Sequence, residues 1–410
     1  MIMLEPILVI GLILFGGFLT GELCMRLGLP KVTGYILAGL LLNPRLTPVI
    51  PVDFVDHTDL VTNISLAFIT FSVGGTLLMS RIRKLGKPII LITLLEAEGA
   101  FLFVAASFVL IAPWLLGEHS AVTATQFVPL ALLLGSLAAP TDPSATLAVV
   151  HEYHASGEVT STVMGVAAFD DILGIINYSL AVGFAAMFVL HQPLQGQALL
   201  QPLVKIGGSL VIGVLFGVIL NRLIHLIRRE KEGVLITLVF SLLALCYGVA
   251  GTLHSDELLS TMTMGVVVTN FNPHRDEIFQ ILERYTEELV FVLFFTLSAM
   301  HLDFTVLVAN LPIIGVFVLF RALGKWCGSL LGGSLAHSSP AVRRFTVGGL
   351  LPQGGIVIGL ALLIRQNPDF AGLSEILVNV ILGATVVHEI IGPVVSKAAL
   401  KMAGELPSSS

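Results

Sequence analysis

Two aspartates stand side by side in an otherwise apolar run, Val166-Ala167-Ala168-Phe169-Asp170-Asp171-Ile172-Leu173-Gly174. At the centre of a lone membrane helix each carboxylate costs about 2.5 to 3.5 kcal/mol by insertion scales, so both must face protein or water. Neighbours on a helix point about 100° apart and cannot share one partner equally. One is therefore expected to face an ion path and the other a structural partner. A partner is offered by Phe320-Arg321-Ala322-Leu323-Gly324-Lys325-Trp326, where Arg321 and Lys325 are four apart and share a face. Pairing one of these cations with one aspartate lowers the burial cost that either suffers alone. A third acid, Asp142, lies between two prolines in Ala139-Pro140-Thr141-Asp142-Pro143, placed to cap a half-helix or to face an ion. Thr141, Ser144 and the carbonyls freed around Pro140 and Pro143 can supply neutral oxygens. In Pro352-Gln353-Gly354-Gly355 the glycines let a second backbone come close enough to do the same. A carboxylate in such a narrow polar cavity holds either a proton or a small monovalent cation, and pH decides which. Competition for one place is itself a coupling mechanism. No His or Cys joins the oxygens, so Na+, Li+ or K+ suits them better than a transition metal.

The elements that carry these residues follow from composition. Of 410 residues 55% are hydrophobic and only 12% charged, with mean hydropathy +0.96, a surplus of apolar side chains that needs lipid. A net charge of −6 without a basic block excludes a nucleic-acid partner. Three cysteines, Cys24, Cys246 and Cys327, lie in apolar runs and form neither a disulfide framework nor a zinc pattern. Segments long enough to cross the hydrocarbon recur at 5–25, 31–47, 58–78, 88–113, 127–150, 158–190, 202–226, 232–253, 257–271, 285–301, 309–334, 345–365 and 374–400. The ninth is short, so twelve crossings compete with thirteen. No Lys or Arg precedes the first, which reads as a retained helix and not as a signal peptide. With the N-terminus outside, the inner side collects most of the 21 basic residues, including Arg81, Arg83, Lys84, Lys87, Arg228, Arg229 and Lys231. The outer side receives Arg45, Lys205 and Arg365. That asymmetry favours thirteen spans, N-out and C-in. The proline- and glycine-rich stretches interrupt the fifth and twelfth spans, seven apart, so the second copy runs opposite to the first. Two broken helices in inverted halves are the pattern of a secondary transporter.

With these motifs in place the chain resembles the monovalent cation:proton antiporter superfamily, the sodium/proton exchanger-like proteins, over nearly its whole length. The matching stretches are Leu27-Gly28-Leu29-Pro30 through Gly34-Tyr35 to Gly39 and Asn43-Pro44, Pro140-Thr141-Asp142-Pro143, Phe169-Asp170-Asp171, Arg321-Ala322-Leu323-Gly324, Leu351-Pro352-Gln353-Gly354-Gly355 and Ile391-Gly392-Pro393. The resemblance implies an all-α polytopic membrane protein of 13 transmembrane helices in two inverted repeats with crossed discontinuous helices. It implies a dimerisation or scaffold domain beginning with 1–80, a core ion-transport domain beginning with 88–190, a linker helix and the remaining scaffold helices in 202–303, the second half of the core in 309–400, and a short cytoplasmic tail at 401–410. It further implies an elevator-like antiporter that forms a homodimer in the cell inner membrane. Asp171 is then the ion and proton carrier and Asp170 the acid facing the basic residue, with Thr141 and Asp142 next to the ion. Asp171, Thr141 and Asp142 are the expected ligands of transported Na+. The relatives' basic residue is a lysine in electrogenic members. Here Arg321 precedes the Leu-Gly step and Lys325 follows one turn later, and Arg321 is the favoured partner of Asp170. An arginine stays protonated and leaves only Asp171 to exchange protons, one per cation, whereas a lysine pair permits two. The potassium-efflux relatives append a nucleotide-binding domain, and the chain ends soon after Lys401. This places Na+ before K+.

Smaller expectations attach to Glu96 and Glu98, which differ by two and cannot share a face. One is expected to line a cavity and the other a packing contact. His388 and Glu389, near the second break, are read as supporting the core or sensing pH, and His151, His154 and His225 as candidates for pH gating. No cofactor and no enzymatic chemistry are expected, only monovalent cations, protons and membrane lipid as partners. An anion carrier needs a basic or amide-rich midplane, and this one is acid-rich. K+/H+ exchange, and a non-transporting sensor or scaffold retaining the fold, are the alternatives.

Overall fold

A computed structural model describes residues 5–47, 50–55, 58–111, 114, 127–190, 197–226, 232–300, 308 and 310–407. Among these residues every regular element is helical. In chain order they are α1 (Pro6–Arg26), α2 (Lys31–Leu41), α3 (Val52–Val55), α4 (Asp59–Thr76), α5 (Met79–Leu110), α6 (Phe127–Ala138), α7 (Pro143–Glu152), α8 (Glu158–Leu190), α9 (Gln197–Leu226), α10 (Glu232–Thr252), α11 (Glu257–Phe271) and α12 (Arg275–Leu282). A π turn, Glu283–Glu287, leads into α13 (Glu288–Met300), followed by α14 (Leu311–Leu335), α15 (Pro340–Gly349), α16 (Gly355–Gln366) and α17 (Ala371–Met402). Among the described residues seven helices are long and apolar enough by themselves to cross a membrane.

The fifth and twelfth apolar segments are each two half-helices. α6 stops at Ala138 and α7 starts at Pro143; α15 stops at Gly349 and α16 starts at Gly355. Proline at the first position of α7 suits a helix start, since its missing N–H has no intrahelical partner there. Elsewhere the helices outrun the apolar segments. α5 begins at Met79, so the basic stretch 81–87 forms its first turns. Arg, Lys and Leu are good helix formers, and Pro88 removes one backbone bond without ending the helix. The 285–301 segment is likewise entered through α12 and the π turn. Arg228, Arg229 and Lys231, counted toward the inner side, lie outside the described residues, as do 408–410 of the tail.

Two compact units are formed. The first takes Met1–Lys84, Leu147–Glu152 and Val204–Leu302, the second Leu85–Thr146, Tyr153–Leu203 and Asp303–Ser410. In the first, α4 and α11 come together at Gly74 and Gly265, where an added Cβ would meet the Met262 and Phe71 carbonyls. Lys31 bridges Glu22 at 3.1 Å and Glu288 at 3.0 Å, and Tyr35 donates to Glu288 at 2.7 Å.

The second unit contains every residue of the two breaks. Its apolar core includes Phe108, Leu134, Leu137, Phe317, Leu377 and Ile381. Phe108 and Phe317 lock α5 to α14 with an edge-to-face contact of 6.5 Å between ring centroids. Along the same two helices Gly324, Gly328 and Gly332 make a seam of small residues every fourth position. A Cβ at 332 would lie 2.6 Å from the Leu91 carbonyl, one at 324 would lie 2.7 Å from the Ala100 Cα, and one at 328 would collide with the Leu95 carbonyl. The obstacles are backbone, so nothing can give way. This seam brings Lys325 of α14 opposite Glu96 of α5. Gly328→Val is expected to lower stability by about 3 kcal/mol, the upper end for overpacking. The check is the melting temperature in detergent beside Gly315→Val on the same helix, where an added Cβ meets nothing within 4 Å.

Candidate functional site

The backbone of both breaks is unwound, and its carbonyls need donors. Arg321, fully buried, supplies them: Nε donates to Ala138 O at 2.9 Å, one terminal nitrogen to Leu351 O at 2.6 Å, and the other to Pro140 O at 2.9 Å. One guanidinium thus holds the carbonyl ends of α6 and α15, where helix dipoles leave partial negative charge. Its fork of five N–H groups fits three carbonyls fixed in space. Gln353 adds a fourth link, donating from Nε2 to Leu137 O at 2.7 Å, and the Asp142 amide donates to Pro352 O at 3.0 Å. Thr146 donates to Gly349 O at 2.8 Å. Gly174 of α8 lets Pro140 approach, since a Cβ there would collide with the proline ring.

One turn along α14, the Lys325 ammonium is fully enclosed by acceptors. Nζ lies 2.6 Å from Glu96 Oε2, 2.7 Å from Ala139 O, 2.9 Å from Thr141 Oγ and 3.1 Å from Asp170 Oδ2. Thr141 Oγ donates in turn to Asp170 Oδ2 at 2.5 Å. Glu96, Asp170 and Lys325 all have no exposed surface. This corrects the expectation that Arg321 pairs with Asp170. The arginine is committed to backbone carbonyls, and the compact ammonium takes the carboxylates. The carbonyls of Ala139 and Pro140, expected to be free for an ion, are engaged by these same two cations.

The other expected residues distribute as follows. Asp171 is buried on the face of α8 next to that of Asp170. Asp142 is the residue before α7, and its Oδ1 accepts from the Ser144 amide at 2.8 Å, a helix cap. Its Oδ2 has no hydrogen-bond donor among the described residues, nor have Ser144 Oγ and Gln353 Oε1, all buried. His388 Nε2 lies 3.4 Å from an Arg321 nitrogen, and Glu389 is buried beside Gly354, the residue before α16. Glu98 is half-buried, whereas Glu96 is a full member of the cluster. His154 and His225 are exposed. In the first unit His151 Nδ1 lies 2.7 Å from Glu287 Oε1, beyond the end of the apolar segment. Burial works against the His151 charge, but Glu287 and the nearby Glu283 outweigh it and hold the imidazole pKa above its ordinary value.

Sequence reasoning did not find the Glu405 contact. Its carboxylate accepts from the Val159 and Thr160 amides and the Thr160 hydroxyl, each at 2.7 Å, capping the helix that carries Asp170 and Asp171. No local signal marks a cap 245 residues away.

Comparison with known proteins yields a family match. The family described as sodium/hydrogen exchanger, transmembrane, matches residues 10–402. A relative named Na(+)/H(+) antiporter 1, from Methanocaldococcus jannaschii, is 26% identical over 52% of this chain and 47% of its own. This chain thus spans about half of that relative's length. A second, the Na(+)/H(+)-K(+) antiporter GerN of Bacillus cereus, is 22% identical over 86% of each. Among solved structures, the sodium proton antiporter MjNhaP1 from Methanocaldococcus jannaschii at pH 8 superposes with a TM-score of 0.73 at 21% identity, covering 98% of this chain and 99% of that one. That likeness establishes the fold.

Lys325→Ala strands Glu96 and Asp170 without a cation, and is expected to cost about 3 to 5 kcal/mol of stability. Thermal melting checks it, and adding Glu96→Gln should recover part of the loss in a double-mutant cycle. For His151 the raised pKa fixes the sign. Its bond to Glu287 stabilises fully below the ordinary imidazole range and fades as pH rises through the raised value. Melting curves of His151→Gln across that interval should lose this pH dependence.

Proposed function

The chain belongs to the sodium/hydrogen exchanger family, and from that premise we propose that it exchanges a monovalent cation, Na+ first, for H+ across a membrane. The observation that carries this reading is the fully buried Lys325–Glu96–Asp170 cluster at the meeting of two broken helices, with Asp171 beside it. Asp171 is the residue we assign to carrying the ion and the proton, one displacing the other. Lys325 and Thr141 hold Asp170 and keep the unwound backbone in register. Because the partner of Asp170 is a lysine, whose ammonium releases a proton more readily than a guanidinium, two protons per cation are permitted.

The second unit is then the part that carries the ion through an elevator-like motion, and the first unit the scaffold. Large apolar side chains exposed on α1 and α9, among them Phe15, Phe18, Val211 and Leu215, support contact with lipid and with a second copy in a homodimer. Thirteen crossings with the N-terminus outside and the C-terminus in the cytoplasm of the cell inner membrane complete the reading. K+ is the second candidate, supported by the name of one relative, the Na(+)/H(+)-K(+) antiporter GerN. A sensor that retained the fold without transport predicts no flux at all.

Vesicles carrying the protein and a preset pH gradient should dissipate it when Na+, Li+ or K+ is added. Measuring this with and without a clamped membrane potential reports ion identity and stoichiometry together. Asp171→Asn should abolish the response, and normal exchange by that variant rejects the assignment.

A further inference from the structure

The Lys325 cluster leaves a second pair of acids unexplained. Gly354 ends the second break with φ −144° and ψ −139°. A Cβ built on it would collide with Asp142 Oδ2 and lie 3.1 Å from Glu389 Oε1. Carboxylates from two separate segments therefore converge on the notch that the missing side chain leaves. Asp142 is 9% exposed and Glu389 7%. The first Asp142 oxygen is used in capping α7, but Oδ2, which points into the notch, has no donor among the described residues. Ser144 Oγ, two residues on from Asp142, and Gln353 Oε1, on the residue before Gly354, are also buried without a donor among the described residues. The two cations of the core are spent elsewhere, Lys325 on Glu96 and Asp170, Arg321 on backbone carbonyls. No described lysine, arginine or histidine pairs with Asp142 or Glu389.

We propose that Glu389 is a ligand of the transported cation, which is held between Glu389 and Asp142 at the Gly354 notch. This rests on the exchange reading above and adds to it a carboxylate from α17. Two buried like charges facing one point repel strongly in a low dielectric, and a small cation between them converts that repulsion into attraction. Carboxylate and amide or hydroxyl oxygens are hard donors, suited to a dehydrated alkali ion. Glycine at 354 is required because any side chain would occupy the place of Asp142 Oδ2.

The test measures initial rates of cation-driven pH change in vesicles as a function of Na+ and Li+ concentration for the full chain. Glu389→Gln should raise the KM for Na+ by about tenfold, the usual effect of losing one supporting ligand, with kcat changed far less. Glu389→Asp should recover part of the affinity. Gly354→Ala keeps both acids but displaces Asp142 Oδ2, and should raise KM in the same direction. It also serves if Glu389→Gln fails to fold. A wild-type KM in either folded variant, or a loss confined to kcat, overturns the assignment. If wild-type vesicles show no exchange, the exchange reading fails, and direct binding of radioactive Na+ to the purified protein decides the inference. Binding lost in Glu389→Gln supports it, and binding retained or absent from the wild type overturns it.

Discussion

A single ammonium enclosed by two carboxylates, a hydroxyl and a carbonyl, with no exposed surface on any of the charged groups, is the constraint around which the second unit is organised. Ions of this kind are tolerable away from water only when each finds a counter-charge and its remaining hydrogen-bonding capacity is met. Meeting that condition dictates backbone geometry. Glu96 reaches Lys325 because α5 and α14 touch along glycines. Asp170 reaches it because Gly174 admits the Pro140 ring. Ala139 O and Thr141 reach it because the chain between α6 and α7 is not helical. Remove any of these and a buried charge is orphaned, so the unwound segment and the salt-bridge cluster stabilise each other.

Arg321 and Lys325 share a helix face yet divide the work by shape. Three carbonyls from two different breaks converge at fixed angles, a demand met by a planar fork of five donors and not by a compact ammonium. The carboxylates, which approach from α5 and α8, are met by the compact ammonium at the centre. Under the proposed exchange this division matters. The guanidinium holds the scaffold of the breaks, and the ammonium stands next to the carboxylates.

The apolar segments and the positions of both breaks are legible in the sequence because proline and glycine punctuate helices through local sterics. Which cation meets Asp170 is not, since Arg321 and Lys325 are one turn apart and the sequence does not say where the freed carbonyls will point. Glu96 lies between these cases. It could not be told from Glu98 by charge or hydropathy, but the glycines at 324, 328 and 332 announce a close contact on the Lys325 side of α14. The Glu405 cap leaves no mark, because it is settled by residues remote in the chain. The same holds for Asp142. Its place before Pro143 forecasts a helix cap, and the structure gives that role to one oxygen only.

Charge balance in the buried core separates its acids into two groups. Glu96 and Asp170 share Lys325, whereas Asp142 and Glu389 have no basic partner among the described residues. An exchanger needs this imbalance. A core in which every carboxylate were matched by a fixed cation would gain nothing from binding Na+ or a proton, and one with none matched would pay a desolvation cost too large to fold. The cations on α14 make burial of the first group affordable and hold the breaks open, which leaves the second group, under the proposed exchange, to be satisfied by ions that arrive from water. Under the proposed exchange, structural stability and transport draw on the same electrostatics but on different carboxylates, and the breaks in the two helices are where the two sets come together.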